Sequence, residues 1–523
     1  MSGTERVGNR IHLGVVREVG QVRKGTLGEL SLPFFIVMVG AGCSSGGGSG
    51  STIAPPGTTA PATPSAAATA SAPLPPTPAP PPPPPGTAAP TPPPPDSVIL
   101  SQLAAARIAN ATRIPLESPA LVALGQSLFF DKILSGNRNI SCSTCHAPAF
   151  ATEHGRPLSL GEGATGAGTA RQATAASQVI ARNAPPLFHS GARGYDVLFR
   201  DGRVRRDPVT GALATPEPAL NGPNPQRPDL AAPLTTALAA QALFPVATAA
   251  EMLGQPGENE LANAPDEITV WALVMARLVG TQNGTKGGVA AYRALFAAAY
   301  PGLSFDALNF SHAARAIAAF ESAAFTALDT PLDRYLNGDT TALSDAAKRG
   351  AVTFSGPGRC VACHSGPLLT DLAPHALAVP QLGPGKANGD DLGVALVSGN
   401  PADDYRFKTP PLRNVALSGP FMHDGAFASL TRVLQHYRDP ARSLLGYQPA
   451  LELPAFFQPL FDSNAAEDSA RLAAIDPRIG NGIPLSDAEI ADVVAFLQAL
   501  TDPAATTPPA PPPSVASGLP VGD

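Results

Sequence analysis

The sequence predicts a mostly α-helical protein built from two related domains. Apolar residues recur at helical spacing through the body of the chain, and few segments show the alternation that is typical of strands. A Cys-x-x-Cys-His pattern occurs twice, with comparable helical sequence around each copy. We therefore expect an N-terminal domain over residues 98–345 and a C-terminal domain over residues 346–503.

Helix start signals stand near both ends of this body. Ser118 followed by Pro119 is typical of an N-cap and a first helical residue, which predicts a helix over residues 120–130. Ser486 and Glu489 match a capping box. The apolar residues after this box fall on one helical face: Ile490, Val493, Val494, Leu497 and Leu500.

Residues 1–43 have the pattern of an export signal. A mildly basic stretch precedes a short apolar run and then Cys43, which resembles a bacterial lipoprotein cleavage site. The run is too short to cross a bilayer, which takes about 20 residues. We expect a periplasmic protein held to a membrane by a lipid on Cys43. An ordinary cleaved signal and a buried apolar segment are the alternatives.

Two further segments are compositionally biased. Residues 44–97 are rich in Gly and Ser and then in Pro, Ala and Thr, and residues 504–523 have a similar composition. Such segments bury too little apolar surface to order themselves. The sequence therefore predicts a disordered linker before the folded body and a short disordered tail after it.

Charge and cysteine content narrow the function. The formal net charge is −6 and only 15% of the residues are charged, which argues against a nucleic-acid partner because such a partner needs a basic face. The chain has five cysteines, and all except Cys43 belong to the two Cys-x-x-Cys pairs. No cysteine remains for a disulfide framework.

The repeated pattern predicts two covalently attached haems c. The pairs are Cys142 with Cys145 and Cys360 with Cys363. Two thiols on one helical turn can form thioethers to the haem vinyl groups, and the following His146 or His364 can then ligate the iron. A zinc site and a redox-active dithiol are the alternatives. The His at the same offset in both copies and the apparent export signal favour haem.

Ordered blocks around these sites resemble the di-haem cytochrome c peroxidase family, which includes the MauG-type enzymes. The blocks are residues 124–131, 140–146, 182–187, 201–203, 241–245, 251–254, 408–414 and 420–425. The resemblance implies two cytochrome c-like helical domains with one haem each. It also implies that peroxide binds at the haem of His146 and that the haem of His364 passes electrons or shares oxidising equivalents.

The resemblance also implies a distal pocket at the peroxide-binding haem. In the family, this pocket holds a Gln and, ten residues later, a Glu, and Gln241 and Glu251 have that spacing. Pro245 fits a further pocket position. Glu251 is the expected general acid–base group, which moves a proton between the peroxide oxygens, and Gln241 orients peroxide or water. The alternative is that Glu251 is an ordinary solvated helix residue.

Tyr437 is the sixth iron ligand that the resemblance implies for the C-terminal haem. It lies fourteen residues after His423, where bacterial cytochrome c peroxidases have Met and MauG-type enzymes have Tyr. A phenolate ligand stabilises ferric iron and lowers the reduction potential. The alternatives are that Tyr437 only packs, or that His436 or Met422 is the ligand.

The chain departs from the family pattern at three places. Family members that need reductive activation have a His sixteen residues after the first haem ligand, and this chain has Glu162 there. We therefore expect the first iron to be five-coordinate or water-bound at rest.

Arg200 replaces a Trp that often mediates electron exchange between the haems, and the sole tryptophan, Trp271, is expected in the core. An insertion between Arg203 and Gln241 is expected to form a surface loop.

A calcium ion between the haems is a further implication of the resemblance. Its ligands would be the side chain of Asn183 and the backbone carbonyls of Ser418 and Pro420, completed by water. Such neutral oxygen ligands suit a hard cation. The alternative for Asn183 is a turn-forming role.

The sequence thus predicts a c-type peroxidase that reduces hydrogen peroxide to water. Its electrons would come from an external cytochrome c or cupredoxin. One alternative is a MauG-type enzyme that uses peroxide to oxidise aromatic residues of a partner protein, which Tyr437 favours and Arg200 disfavours. The other alternative is a non-enzymatic di-haem electron carrier.

Overall fold

The computed structural model describes residues 91–174, 177–280, 287–385 and 389–522. The export signal, Cys43 and most of the predicted linker lie outside the described residues, so the expectations for them stay predictions. Within these ranges, no helix is both long and apolar enough to cross a membrane. The described residues belong to one compact unit.

Helix is the main regular structure, as predicted, with 41% helix and 7% strand. The helices are α1 Asp96–Ala105, α2 Pro119–Phe130, α3 Cys142–Cys145, α4 Pro228–Ala231, α5 Ala237–Gln241, α6 Glu267–Val279, α7 Ala290–Ala299, α8 Phe310–Phe325, α9 Pro331–Leu336, α10 Asp345–Ser355, α11 Ala395–Ser398, α12 Leu430–Arg438, α13 Pro440–Leu445, α14 Pro449–Glu452, α15 Ala465–Ala473 and α16 Asp487–Gln498.

The strands are two or three residues long and pair only with near neighbours. They are β1 Ser159–Leu160, β2 Val179–Ile180, β3 Val197–Leu198, β4 Val204–Arg206, β5 Leu213–Ala214, β6 Pro374–Ala376 and β7 Arg406–Lys408. All pairings are antiparallel: β1 with β2, β4 between β3 and β5, and β6 with β7. These sheets are too short to form a layer of their own, and Leu198, Val204 and Leu213 of the three-stranded one are buried.

The first hydrophobic core is built around α2 and α8. Helix α2 begins where the sequence predicts, because the Ser118 hydroxyl accepts a hydrogen bond from the Leu121 amide at 3.3 Å. The two helices approach closely at Gly125, where an added Cβ would lie 1.8 Å from the Ala316 carbonyl oxygen. Helices α5, α6 and α7 complete this core.

The second core repeats this arrangement with α10 and α16. An added Cβ at Gly350 would lie 1.9 Å from the Asp492 carbonyl oxygen, so a glycine again permits the close approach of the two helices. The predicted capping box is present, with the Glu489 amide donating to the Ser486 hydroxyl at 3.2 Å. A glycine thus permits a close helix pair in each half of the body, and the division into two domains stays a prediction.

The second core also takes in helices from before residue 346. Ile99 and Leu103 of α1 are fully buried there, and so are Leu332 and Tyr335 of α9. Helix α1 begins inside the range predicted as linker. The predicted boundary thus falls between helices that share a core, because local composition does not report which distant helix an apolar face will meet.

The C-terminal tail differs from the predicted disorder. Val515 is buried in the first core, 8% exposed. The Ser517 hydroxyl donates to the Asp131 carboxylate at 2.7 Å, and the Ser517 amide donates to the same carboxylate at 3.1 Å. A few residues therefore anchor the tail to the folded body. The Pro/Ala-rich composition of the segment as a whole does not reveal them.

The insertion between Arg203 and Gln241 also differs from expectation. It forms β4, β5 and α4 instead of only a surface loop. Leu213, Leu220 and Leu230 from this segment are buried in the first core. Spaced leucines in a Pro-rich stretch therefore supply packing that the composition did not suggest.

Arg413 links distant segments of the folded body. The side chain is fully buried, and both terminal nitrogens donate to the Asp333 carboxylate. Its Nε donates to the Pro367 carbonyl at 2.7 Å, and one terminal nitrogen donates to the Ala109 carbonyl at 3.1 Å. These hydrogen bonds tie α9 to the loop after α1 and to loops that follow the second Cys-x-x-Cys-His segment.

We expect Arg413→Met to lower the free energy of unfolding by about 3–5 kcal/mol, because the variant leaves the Asp333 carboxylate buried without its cation. Guanidinium denaturation followed by circular dichroism measures the change. The matched control is Arg438→Met, since Arg438 forms a solvent-exposed pair with Asp487. That loss should cost at most about 1 kcal/mol. Equal stabilities of the two variants would contradict the assignment.

Candidate functional site

The first Cys-x-x-Cys-His segment folds as the single turn α3. The Ser141 amide donates to the Thr144 hydroxyl at 3.1 Å, and the His146 amide donates to the Cys142 carbonyl at 2.9 Å. Cys142, Cys145 and His146 all line one cavity of about 1540 Å³, part of which is open to solvent. We call this space cavity 1.

The second segment forms a 3-10 turn at Cys360–Ala362. The His364 amide donates to the Cys360 carbonyl at 2.8 Å, which closes the turn in the same way. Cys360, Cys363 and His364 line a separate cavity of about 1550 Å³, also partly open to solvent, which we call cavity 2.

The two histidines are held in the same tautomer. His146 Nδ1 lies 3.0 Å from the Thr152 carbonyl oxygen, and His364 Nδ1 lies 3.0 Å from the Leu369 carbonyl oxygen. A carbonyl only accepts, so each Nδ1 carries the proton and each Nε2 keeps the lone pair that an iron ligand needs. Thr152 (φ 60°) and Leu369 (φ 52°) both adopt left-handed backbone conformations, which non-glycine residues rarely do.

Burial favours the neutral form of both imidazoles. It lowers the pKa of His146 and lowers the pKa of His364 to about 4. Burial also raises the pKa of the Cys142 thiol, and it raises that of the Cys360 thiol to about 12. A zinc site or a reactive dithiol requires thiolates, whose formation burial opposes at Cys142 and Cys360.

The two cysteine pairs line different cavities, so their four sulfurs do not converge on one metal. Each cavity instead offers two thiols and one neutral imidazole from a single turn. This donor set fits haem c, with the thiols for thioether bonds and the imidazole for iron.

The predicted distal residues Gln241, Pro245 and Glu251 all line cavity 1 together with His146. Gln241 ends the short helix α5, and Glu251 lies in a π-helical turn, a form that is frequent at functional sites. Glu251 is half-buried on the cavity wall. The structure thus brings these residues to the candidate haem ligand, and their catalytic roles stay predictions.

Neighbouring backbone holds the Glu251 turn in place. The Ala250 carbonyl accepts from the Glu162 amide at 3.0 Å, and the Met252 carbonyl accepts from the Gly136 amide at 2.7 Å. The carbonyls on either side of Glu251 are therefore fixed from outside cavity 1.

Glu162 takes part in this support instead of capping the cavity. Its carboxylate accepts from the side-chain amides of Asn137 at 2.6 Å and Asn139 at 2.7 Å. Among the residues that the structure describes, Glu162 does not line cavity 1. The loop that could carry a capping ligand is thus engaged elsewhere.

Trp271 is a core residue, as predicted. It is 1% exposed, and its indole nitrogen donates to the Leu243 carbonyl at 2.8 Å. Its ring meets Phe244 edge-on, with 6.0 Å between the ring centroids. Because Leu243 and Phe244 lie between Gln241 and Pro245, these contacts fix the backbone that carries the distal residues.

Cavity 2 contains the predicted ligand Tyr437. It is on helix α12 and lines the cavity with His364, and burial raises the pKa of its phenol. Met422 lines the same cavity. His436 is not among the described lining residues, and its Nε2 donates to the Leu377 carbonyl at 2.7 Å. These contacts favour Tyr437 or Met422 over His436.

Tyr437→Phe should change the electron paramagnetic resonance signal of the haem attached near His364, because the variant removes the phenolate oxygen. The matched control is Tyr447→Phe. The Tyr447 hydroxyl donates to the Ala426 carbonyl at 2.6 Å, and Tyr447 is not among the described residues around cavity 2. A signal that Tyr437→Phe leaves unmoved would exclude Tyr437 as the ligand.

The predicted calcium ligands partly come together. The Asn183 side-chain amide donates to the Pro420 carbonyl at 3.2 Å, and Asn183 Oδ1 is buried with no hydrogen-bond partner in the described part of the chain. Ser418 and Pro420 line cavity 2, whereas Asn183 lines cavity 1. An unpaired amide oxygen beside a carbonyl fits a hard cation. Calcium itself stays a prediction.

Sequence reasoning missed two kinds of residue at these sites. Glu321 of α8 lines cavity 1, and burial raises its pKa to about 8. Several residues line both cavities at once: Pro186, Arg200, Lys408, Pro410 and Pro411. Most of these positions fall in the family-like blocks, but no spacing rule marks them as a shared wall.

The fold and the two matched sites define a class of protein, a helical oxidoreductase with c-type haem. Residues 119–341 match the family model described as di-haem cytochrome c peroxidase. The chain is similar to this family over these residues, and relatives named cytochrome c peroxidase and MauG indicate an oxidoreductase of the peroxidase type. The family implies haem c as the cofactor.

Similar proteins include both branches that the sequence suggested. The methylamine utilization protein MauG of Methylophilus methylotrophus is 29% identical over 62% of this chain and 76% of its own length. The cytochrome c551 peroxidase of Pseudomonas aeruginosa is 29% identical over 58% of this chain and 67% of its own length. A solved MauG-like protein associated with microbial copper homeostasis is 26% identical, with a TM-score of 0.50, and the match covers 77% of this chain and 95% of that one.

Proposed function

We propose that this protein reduces hydrogen peroxide to water in cavity 1, with two electrons from an external redox protein and two protons. The observation that carries this proposal is that Glu251 and Gln241 share cavity 1 with His146. A haem bound there supplies the iron site for peroxide and the path for electrons. A reduced cytochrome c or cupredoxin is the proposed donor.

Glu251 and Gln241 have separate roles in this reaction. Glu251 would take a proton from one peroxide oxygen and return it to the other, so that one oxygen leaves as water. The two donor electrons and two protons then convert the second oxygen to water. Gln241 orients peroxide or water by hydrogen bonding through its amide. The supported backbone around Glu251 keeps the carboxylate positioned between turnovers.

Cavity 1 is proposed to be ready for peroxide without prior reduction. The supporting observation is that Glu162, at the position of a capping His in some family members, is hydrogen-bonded to Asn137 and Asn139. A carboxylate engaged there does not compete with peroxide for iron.

Steady-state assays with reduced cytochrome c or a reduced cupredoxin test this function. We expect the fully oxidised protein to consume donor on addition of peroxide, at two electrons per peroxide and without a lag. Protein that has been pre-reduced should show the same rate. No donor oxidation with either reductant would contradict the proposal, and a lag abolished by pre-reduction would contradict the open resting site.

A MauG-type oxidation of a partner protein is the second candidate, favoured by Tyr437 in cavity 2. This activity uses peroxide to remove electrons from aromatic side chains, so it needs no reduced donor. The assay above separates the candidates, because only the peroxidase reaction consumes a reduced donor. Similarity to a family of peroxidases disfavours the simple electron carrier.

Export and lipid anchoring are also proposed, from the sequence of residues 1–43 alone. Cell fractionation of the wild type and Cys43→Ser tests the anchor. The anchored protein should be in the membrane fraction, and the variant should not be.

A further inference from the structure

The wall between the two cavities carries two cationic side chains. Arg200 and Lys408 are on the surface of both cavities. The Lys408 amide donates to the Arg200 carbonyl at 2.7 Å, which fixes the two residues side by side. The wall therefore places two positive groups where both haem sites can contact them.

Arg200 is half-buried, and its guanidinium lacks part of the hydrogen bonding that such a group usually has. Its Nε is buried and has no hydrogen-bond partner in the described ranges. Burial opposes its charge and lowers its pKa. A buried cation without a hydrogen-bonded anion is costly, so this position calls for an anionic ligand.

The carboxylates near Arg200 do not fill that role. Asp201 already accepts from Arg182 at 2.5 Å and from Arg203 at 2.9 Å. The charges of Glu153 and Asp424 favour that of Arg200, but neither carboxylate forms a hydrogen bond with it among the described residues. The guanidinium of Arg200 is therefore available to an anionic ligand in either cavity.

Lys408 is a buried side chain whose charged form also needs a nearby anion. It is 8% exposed, and its ammonium lies 5.0 Å from the ring centroid of Tyr195. Its pKa is lowered to about 7, mainly by burial and also by the positive charge of Arg200. A carboxylate brought near Lys408 would favour the charged ammonium.

We propose that Arg200 and Lys408 form a shared cationic site that binds the propionate carboxylates of both haems across the wall between the cavities. Each haem c carries two such carboxylates, and a guanidinium binds carboxylates in a bidentate way. One pair of side chains thereby connects the two cofactors electrostatically.

The shared site has a measurable consequence for reduction. Adding an electron to a haem makes it more negative, so a fixed nearby cation stabilises the reduced form and raises the potential. Removing the cation lowers the potential of each haem that it contacts. The inference rests on haem at both sites, but not on the peroxidase reaction, since neither peroxide nor donor enters the measurement.

Spectroelectrochemical titration of the holoprotein tests the proposal. In Arg200→Gln, we expect the reduction equilibrium constant of both haems to fall about tenfold, which corresponds to about 59 mV for one electron. Arg200→Lys should restore most of this loss. The control is Arg205→Gln, because Arg205 is exposed on the adjacent strand β4. Haem content and circular dichroism confirm that each variant is intact.

Unchanged potentials in Arg200→Gln would overturn the proposal. A shift confined to one haem would overturn the shared contact, since Arg200 would then serve that haem alone. If Arg200→Gln does not load two haems, Lys408→Met is measured in the same way. Lower potentials at both haems support the shared site, and unchanged potentials refute it.

Discussion

We expect Glu251→Gln to lower peroxide turnover by about 10²–10⁴-fold, the usual contribution of a positioned general acid–base group. Glutamine keeps the size and polarity of the side chain but neither accepts nor returns the proton. The loss should appear in kcat and kcat/KM with saturating reduced donor, while both haems stay attached. Rapid mixing with peroxide measures the first step directly.

A matched control separates the role of Glu251 from local structure. Glu260 lies nearby in sequence, is itself about half exposed, and forms ion pairs with exposed Arg138 and buried Arg277. Glu260→Gln should therefore leave turnover within about twofold of the wild type, since exposed ion pairs contribute little. Equal activities of Glu251→Gln and Glu260→Gln would show that Glu251 is an ordinary solvated residue.

The second large effect concerns haem attachment in cavity 1. The double variant Cys142→Ser/Cys145→Ser should carry one covalent haem instead of two and should lose peroxide turnover completely. The reason is that serine hydroxyls do not form the thioethers that hold the cofactor beside His146. The pyridine haemochrome assay and intact-protein mass give the haem count.

The matched variant Cys360→Ser/Cys363→Ser should also carry one haem but behave differently. It keeps cavity 1, so it should still bind cyanide or peroxide at high-spin iron, and it should lose only the turnover that needs electrons from the donor. Ligand binding by the first double variant and none by the second would reverse the assignment of the cavities.

Local signals predicted much of this fold. The N-cap Ser118 and the capping box at Ser486 predicted the starts of α2 and α16, because the side chain that satisfies a first-turn amide is close in sequence. The packing of α1 on the second core and of Val515 on the first is long-range. Whether an apolar residue finds such a distant partner depends on the whole fold. For the tail, composition predicted disorder, whereas the structure packs it against the first core.

The residues of the candidate sites also divide into those that sequence signals identified and those that only the structure brings together. Spacing identified His146 and His364, and the resemblance identified Gln241 and Glu251, since both kinds of signal lie along the chain. The carbonyls that orient the imidazoles come from residues in left-handed conformations that no sequence pattern marked. The Arg200 and Lys408 wall joins segments that are far apart in sequence, so only the structure brings them together.

The resting spin states of the two irons test the central claim most directly. In the oxidised holoprotein, electron paramagnetic resonance should show one high-spin ferric haem, ligated by His146 and open in cavity 1. It should also show one low-spin ferric haem, ligated by His364 and closed by a second side chain in cavity 2. Two low-spin signals with no high-spin component would contradict an open peroxide site.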